Sequence, residues 1–404
     1  TAGFALLLLL LCTWSLSDIK DKATINKNFF KDPVDLESIG HFVYSAYFDT
    51  RPTLNGRKYV RVITVLDTKA YEKELICQFM HQSGHLSFST VAKRSAIGAG
   101  MGHKQHYYKE FVLSCPVADD LRFAAFVFIQ TGDASLRSQV MRIINCVSVT
   151  FGKPDEYRLI EWLEAQRLLK MDKVQLHFYH MTNKNFESVA QAYSAEGFVN
   201  VRKLGCPFCE AGQEESLGLL LMSPAINQCF YENLGRYTYT AVFDLDEIIV
   251  PQQHPDYPTL LSALEKRANS SSFAFRNWYH FSELGEDSSV DPRMYMLRHP
   301  YSTKQESPPD YSIKSIHKSC CVVALHNHFS WEDVPKPNTK RSRYNAEVQI
   351  GVNEHYKRCH LDKEACKEMT DVKHNKDGFR LRQLLGKELT AAFRGKVKQI
   401  FGAS

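Results

Sequence analysis

Residues 241–251 read Ala-Val-Phe-Asp-Leu-Asp-Glu-Ile-Ile-Val-Pro. Residues 237–243 have the apolar composition of a buried strand, and residues 248–250 form a second apolar run closed by Pro251. Between them stand Asp244 and Asp246, two apart, with Glu247 directly behind. Residues two apart on a strand face the same side, and here the strand runs out into a loop. Carboxylate oxygens are hard ligands suited to Mn²⁺ or Mg²⁺. A metal held by few protein carboxylates fills its shell with substrate phosphates. The pattern therefore points to a nucleotide-diphosphate substrate whose leaving phosphate such a metal neutralises. An isolated Asp-x-Asp is as often a solvated acidic turn; the apolar runs on both sides favour the functional reading.

Upstream, the rhythm from Arg142 alternates strand and helix. Residues 143–150 read as a buried strand, and 157–170 as an amphipathic helix with Leu159, Trp162, Leu163 and Leu168 inward. A strand at 174–179, a helix at 185–196, a strand at 198–203 and a helical region at 214–234, interrupted near Pro224, follow. This order predicts an α/β fold, a Rossmann-like doubly wound and mostly parallel sheet, whose ligands lie outside the carboxyl ends of the strands. Further strands are predicted at 273–279, 294–298 and 320–324, then an irregular polar tail and a final helix at 379–401. Residues 40–140 look β-rich, with short runs at 42–48, 59–66, 74–79, 107–115 and 122–129. The predicted organisation is an apolar segment (1–16), a stem (17–39), a smaller β-rich domain (40–140), the α/β domain (141–360) and a helical tail (361–404).

Residues 4–14 are almost wholly apolar, with consecutive leucines at 6–11. That is short of the roughly 20 residues a membrane span needs, and the chain begins at Thr1 rather than Met. It reads as the tail of a signal-anchor helix or the apolar region of a cleaved signal peptide. The polar, Lys-rich residues 18–31 favour the anchor. Either routes the chain into the secretory pathway, and the cysteines agree. Of eleven, ten lie outside the apolar segment, an even number consistent with disulfides. Cys206 and Cys209 have Cys-x-x-Cys spacing without a thioredoxin-like context or further zinc ligands nearby. Cys320 and Cys321 are expected to pair with two different partners. Asn269-Ser-Ser is a glycosylation sequon in a polar, exposed-looking stretch. The apolar content of 44% and charged content of 24% are ordinary for a globular protein. The net charge of +5 is spread along the chain, and the short basic run at 340–343 reads as a solvated loop, so nucleic acid is excluded as a partner. Oligomeric state is left open.

Six stretches taken together resemble a known family. They are residues 41–51 (His-Phe-Val-Tyr-Ser-Ala-Tyr-Phe-Asp-Thr-Arg), 161–170 (Glu-Trp-Leu-Glu-Ala-Gln-Arg-Leu-Leu-Lys), Gly212-Gln213, 227–229 (Asn-Gln-Cys), 243–251 and 325–328 (Leu-His-Asn-His). In combination they look like glycosyltransferase family 92, from about residue 40 to about residue 360. The resemblance implies an inverting, metal-dependent galactosyltransferase with a GT-A type nucleotide-sugar domain, held in the Golgi membrane as a single-pass type II protein. Within the family the likeness is nearest to an avian enzyme that adds β1,4-galactose to terminal galactose of glycoprotein N-glycans. That implies UDP-galactose as donor, Mn²⁺ as cofactor and a glycan acceptor.

The resemblance also implies roles. Asp244 and Asp246 would grip the metal and, through it, the diphosphate. His326 falls where the family's metal-binding histidine falls, with His328 as the alternative. Gln213, Lys314 and Lys318 would join the donor side, with Thr150, Phe151 and Glu156 near the uridine. Inversion requires a carboxylate that takes the acceptor hydroxyl's proton. Residues 277–287 offer Glu283 as first choice, then Glu286 and Asp287, with Trp278 and Tyr279 as platforms for sugar faces. Two other classes remain: a lectin-like domain without turnover, and a glycosidase, whose paired carboxyls must stand roughly 5–9 Å apart across the sugar.

Overall fold

The computed structural model describes residues 41–51, 54, 56–67, 75–80, 86–98, 108–117, 141–205, 219–334, 343–359 and 380–402. The first strands are β1 (His41–Asp49), β2 (Lys58–Asp67), β3 (Ile76–Met80), β4 (Leu86–Val91), β5 (Lys93–Ala96) and β6 (Tyr108–Val117). They form an antiparallel sheet in the order β1-β2-β6-β5 and a separate β3-β4 ribbon. Period-two alternation gives the sheet two apolar faces. Val62, Leu66 and Leu113 turn to one side, with the disulfide Cys77–Cys115. Ile63, Val65 and Val112 turn to the other and share a core with the rest of the chain. Asp49 at the end of β1 is fully buried between Arg51 (2.8 Å) and Arg61 (2.9 Å). Arg51 also donates to Ser319 O at 2.9 Å and Val322 O at 2.5 Å, riveting the sheet to a distant loop.

The alternating part runs β7 (Ile143–Gly152), α1 (Glu156–Leu168), β8 (Lys173–Met181), α2 (Lys184–Ala195), β9 (Val199–Lys203), α3 (Met222–Glu232) and β10 (Tyr239–Val242). Asp155 starts α1 by accepting from Arg158 N at 2.9 Å, and Asn183 starts α2 by accepting from Asn185 N at 3.0 Å. Pro224 falls in the first turn of α3, where an amide has no helical partner to lose. Strands β7, β8 and β9 pair in parallel and β10 pairs in parallel on the other side of β7.

Then come β11 (Glu247–Pro251), α4 (Tyr257–Arg267), β12 (Ser272–Phe275), β13 (Asn277–Phe281), β14 (Lys314–Lys318), β15 (Val322–Leu325), β16 (Ser330–Asp333), β17 (Arg343–Asn345), β18 (Gly351–Lys357) and α5 (Arg380–Phe401). The main sheet has the order β17-β12-β14-β10-β7-β8-β9, and a second sheet the order β11-β18-β13. The main sheet is mixed, because β14 runs antiparallel to both β10 and β12. At Gly351 an added Cβ would meet the Phe275 ring at 2.8 Å, so β18 approaches β12 closely there. The apolar stripe Leu381, Leu385, Leu389, Phe393 and Val397 seats α5 in the same core as α1.

Several expectations are corrected. Residues 273–279 are two strands in different sheets, broken at Arg276, whose Nε donates to Ser307 O at 2.6 Å. Residues 294–298 form turns rather than a strand. The buried Glu161 carboxylate accepts the amides of Tyr295, Met296 and Leu297 at 2.5, 2.8 and 3.0 Å, leaving them none for a ladder. Cys320 and Cys321 are joined to each other rather than to two partners, and Cys146–Cys229 ties β7 to α3. The predicted strand 122–129, Cys206, Cys209, Gln213 and the apolar segment 4–14 lie outside the described residues. Among the described residues no helix is long and apolar enough to cross a membrane.

His317 on β14 is fully buried and shares a 2.7 Å hydrogen bond with Ser272 Oγ. Burial, then the nearby Arg343, push its pKa down to about 3. The unfolded chain therefore takes up a proton near the ordinary value of about 6.5 that the folded chain refuses. Its contribution is complete above that value and lost as pH falls towards 3. His317→Asn should flatten the acid limb of the stability–pH curve by up to about 1.4 kcal/mol per pH unit, read by denaturant melts between pH 4 and 7.

Candidate active site

The main-chain ladder between β10 and β7 ends at Ala241 opposite Asn145. The Asn145 side chain extends it two residues further, accepting from Phe243 N and donating to Phe243 O, both at 3.2 Å. The chain then turns. Glu247 N donates to Asp244 O at 3.2 Å, while Asp244 N donates to Glu247 Oε2 at 3.2 Å. From α1, Trp162 Nε1 donates to Glu247 O at 2.7 Å. Asp244, Leu245 and Asp246 thus stand at the carboxyl edge of the sheet, where the chain leaves β7 in one direction for β8 and returns to its other side as β10. Ligands of open α/β sheets bind at such switch points.

Ligand oxygens of Asp244, Asp246 and Glu247 all lie within 4.8 Å of one another. Asp244 accepts from Ser148 Oγ at 2.5 Å through Oδ1, and from Lys314 Nζ at 2.8 Å through Oδ2. Lys314 lies 2.9 Å from Glu247 Oε2 and donates to Asn327 Oδ1 at 2.8 Å. His355 on β18 places Nε2 3.3 Å from Asp246 and Nδ1 3.1 Å from Glu247. Burial opposes charge throughout, yet the Lys314 ammonium holds the Asp244 carboxyl well below its usual range. Burial lowers Lys314 less than Asp244 and Glu247 raise it, so its pKa goes up. Glu247 is raised by burial, against Lys314 and His355. His355 is raised because Glu247 and Asp246 outweigh its burial. The Asp246 side chain, 42% exposed, is the open member of the group; Glu247 is 2% exposed. All-oxygen carboxylate donors fit a hard divalent ion.

Asp246 opens into a cleft of about 860 Å³ that Arg158, Glu286, Arg298, Lys357 and Arg358 also line. Arg158, from the first turn of α1, lies 3.5 Å over the Tyr295 ring and donates to Tyr356 O at 3.3 Å. The cleft wall at 292–299 is the loop whose amides Glu161 holds. A second, open groove of about 570 Å³ over α4, beside His254 and Lys266, carries no carboxylate in its lining.

The structure separates the residues expected from sequence. Lys314 is 1% exposed and its three contacts use its three protons, so it faces inward. Lys318 sits opposite Tyr239, four residues along the strand and so roughly 13 Å away, paired with Glu265. Thr150 and Phe151 end β7 opposite Phe178 and Tyr179. Glu156 accepts from Asn183 Nδ2 at 2.7 Å and Asn185 Nδ2 at 3.1 Å, bracing α1 against α2. His326 is buried against Phe329 and Trp331, and His328 Nδ1 donates to Ile313 O at 3.0 Å. Neither ring joins the three-carboxylate group. Burial depresses His326 to about 3 and His328 to about 4.

Trp278 Nε1 donates to Thr303 O at 2.5 Å, and Tyr279 stacks on Phe281 with its ring 5.5 Å from His355. Glu283 is exposed in a 3-10 turn outside the cleft lining and accepts from Cys359 N at 3.1 Å. Glu286 lines the cleft and pairs with Arg298. Asp287 is buried and occupied by Arg382 Nη2 at 2.7 Å and Ser289 N at 3.0 Å. Asn269 is exposed.

Sequence reasoning missed Ser148, Arg158, Asn327 and His355. Asn327 lay inside the quoted Leu-His-Asn-His stretch. The alternation of Val352, Glu354 and Tyr356 with Asn353, His355 and Lys357 marks the strand that carries His355, within a stretch taken as irregular tail.

A family profile described as glycosyltransferase family 92 matches residues 141–385, more than half of the chain. No curated protein sequence matches. Among solved structures, glucosyl-3-phosphoglycerate synthase from Mycobacterium tuberculosis in complex with phosphoglyceric acid is similar at 11% identity, covering 63% of this chain and 80% of that one, with a TM-score of 0.25. The WbbM bifunctional glycosyltransferase apo structure is similar at 11% identity, covering 41% of this chain and 26% of that one, with a TM-score of 0.19. Likeness at that level carries no argument about fold or reaction, and the profile match alone is decisive: the chain belongs to glycosyltransferase family 92.

Proposed function

We propose that this chain is an inverting, metal-dependent galactosyltransferase. It moves galactose from UDP-galactose to a terminal sugar of glycoprotein N-glycans, galactose in a β1,4 linkage, and works on the lumenal side of the Golgi membrane behind an N-terminal anchor. The observation that carries the reading is that Asp246 of the three-carboxylate group and Glu286 open into one cleft. Mn²⁺ held by Asp246 and the Asp244 edge would neutralise charge developing on the leaving diphosphate. The cleft cations Arg158, Lys357 and Arg358 complement the same anionic donor.

Glu286 is the member of the acceptor loop that reaches the cleft, so it takes the proton of the attacking hydroxyl, with Arg298 fixing its carboxylate. A general base contributes typically 10²–10⁴-fold. Glu286→Gln should therefore lower kcat by about that factor and leave UDP affinity nearly unchanged. Glu283→Gln should stay close to wild type, and the reverse ranking would reassign the base. The donor is tested by incubating purified protein with several UDP-sugars and galactose-terminated glycans, with and without chelator. Linkage analysis of the product follows. Preference for UDP-glucose or UDP-N-acetylglucosamine, or full activity in chelator, would sink this reading.

A further inference from the structure

We propose that Lys314 is a resident counter-ion that divides the acidic group in two. It closes Asp244 and Glu247 into an inner pair and leaves Asp246 as the carboxylate that meets the cleft. A divalent ion then binds weakly by itself and tightly only together with a diphosphate. The inference rests on the metal-dependent transferase reading and adds to it how the metal is loaded.

The geometry is that of a filled site rather than a chance contact. The ammonium has three protons and three acceptors at 2.8, 2.9 and 2.8 Å: Asp244 Oδ2, Glu247 Oε2 and Asn327 Oδ1. Nothing is left over for a phosphate, and 1% exposure gives no path to one. The other oxygen of Asp244 is already engaged by Ser148. His355 lies against Asp246 and the far oxygen of Glu247. Asp246 therefore faces an ion backed by two inner carboxylates, with at least one of their charges cancelled from inside. The remaining field is too weak to strip the hydration shell of a divalent ion without further anionic oxygens. Two phosphates of the donor supply them. In an empty site the same lysine keeps the buried carboxylates from repelling one another, so the turn at 244–247 holds its shape between turnovers.

The test measures metal binding, apart from transfer. Mn²⁺ affinity is determined by titration calorimetry and by the electron paramagnetic resonance signal of free Mn²⁺, with and without UDP. For the wild-type protein UDP should tighten Mn²⁺ by at least about tenfold, and Mn²⁺ should tighten UDP by the same factor. Lys314→Met removes the charge at similar length. It should tighten Mn²⁺ at least about tenfold without UDP, abolish most of the UDP dependence, and make the melting temperature rise more on adding Mn²⁺ than in wild type. Lys314→Arg should keep wild-type coupling. If Lys314→Met folds poorly, the double variant Lys314→Met/Glu247→Gln removes one charge of each sign and should return nucleotide-free Mn²⁺ affinity to within about threefold of wild type. Equal wild-type affinity for Mn²⁺ with and without UDP would overturn the proposal, as would unchanged nucleotide-free affinity in Lys314→Met. Transfer that fails with every UDP-sugar, while this coupling is intact, would instead overturn the transferase reading.

Discussion

Asp246→Asn is expected to lower sugar transfer by at least about 10³-fold, roughly 4 kcal/mol of transition-state stabilisation, with the melting temperature almost unchanged. The asymmetry follows from where the two aspartates sit. The Asp246 side chain is 42% exposed, and among the described residues its ion-pair contact is His355 at 3.3 Å. Its fold-supporting contact is made by the main chain, where Asp246 O accepts from Tyr356 N at 2.8 Å, and Asn preserves that. Exposed ion pairs contribute at most about 1 kcal/mol to stability. Asp244→Asn is the less clean experiment. It breaks a pair with a lysine that is 1% exposed, and because Asp244 itself is 27% exposed the cost is a fraction of the about 3–5 kcal/mol that a fully buried pair would lose. Transfer and thermal melting measured side by side on both variants check the contrast. Near-normal turnover by Asp246→Asn would remove the metal from the account.

The largest effect on stability should come from Trp162→Ala, about 3–5 kcal/mol. The indole is fully buried, meets the Phe243 ring edge-on at 6.5 Å, and donates to Glu247 O at 2.7 Å. Truncation leaves a cavity between α1 and the sheet and a carbonyl without its donor. For a chain of this size the melting temperature should fall by roughly 5 °C. Trp162→Phe separates the two losses, because it restores most of the ring but not the hydrogen bond. It should recover most of the stability while leaving the 244–247 turn looser, read as a raised KM for the nucleotide sugar. If Trp162→Ala melts within about 1 °C of wild type, the indole does not anchor the turn.

What could be read in the chain beforehand was what short-range pattern encodes. The run from β7 to β10 was legible because buried strands and amphipathic helices alternate there without interruption. Asp244 and Asp246 were legible because apolar runs frame them. Strand β14 and its reversed direction were not, since a five-residue segment of Lys, Ser, Ile and His carries neither a clear strand pattern nor a sign of its direction. The turns at 294–298 were missed because they depend on Glu161, more than a hundred residues earlier, taking three amides. The interior position of Lys314 escaped for the same reason. In the sequence it lies in a stretch assigned to no element, and only the pairing of β14 with β10 sets it against Asp244. The segment 283–287 illustrates the limit of composition. Glu283, Glu286 and Asp287 are chemically near-equivalent on paper, and only packing divides them into one exposed away from the cleft, one lining it and one tied up by Arg382.

The first sheet has a practical meaning for anyone shortening this enzyme. Residues 141–385 bound the recognisable family segment, yet that boundary is not where the protein can be cut. Leu221, Ala225, Ile226 and Phe230 are buried in a cluster completed by Ile63, Val65 and Val112 from the opening strands. A chain starting at residue 141 would present that face of α3 to water and lose the Arg51 rivet to Ser319 and Val322. Such a fragment should aggregate during production, whereas one beginning just ahead of His41 should remain dispersed.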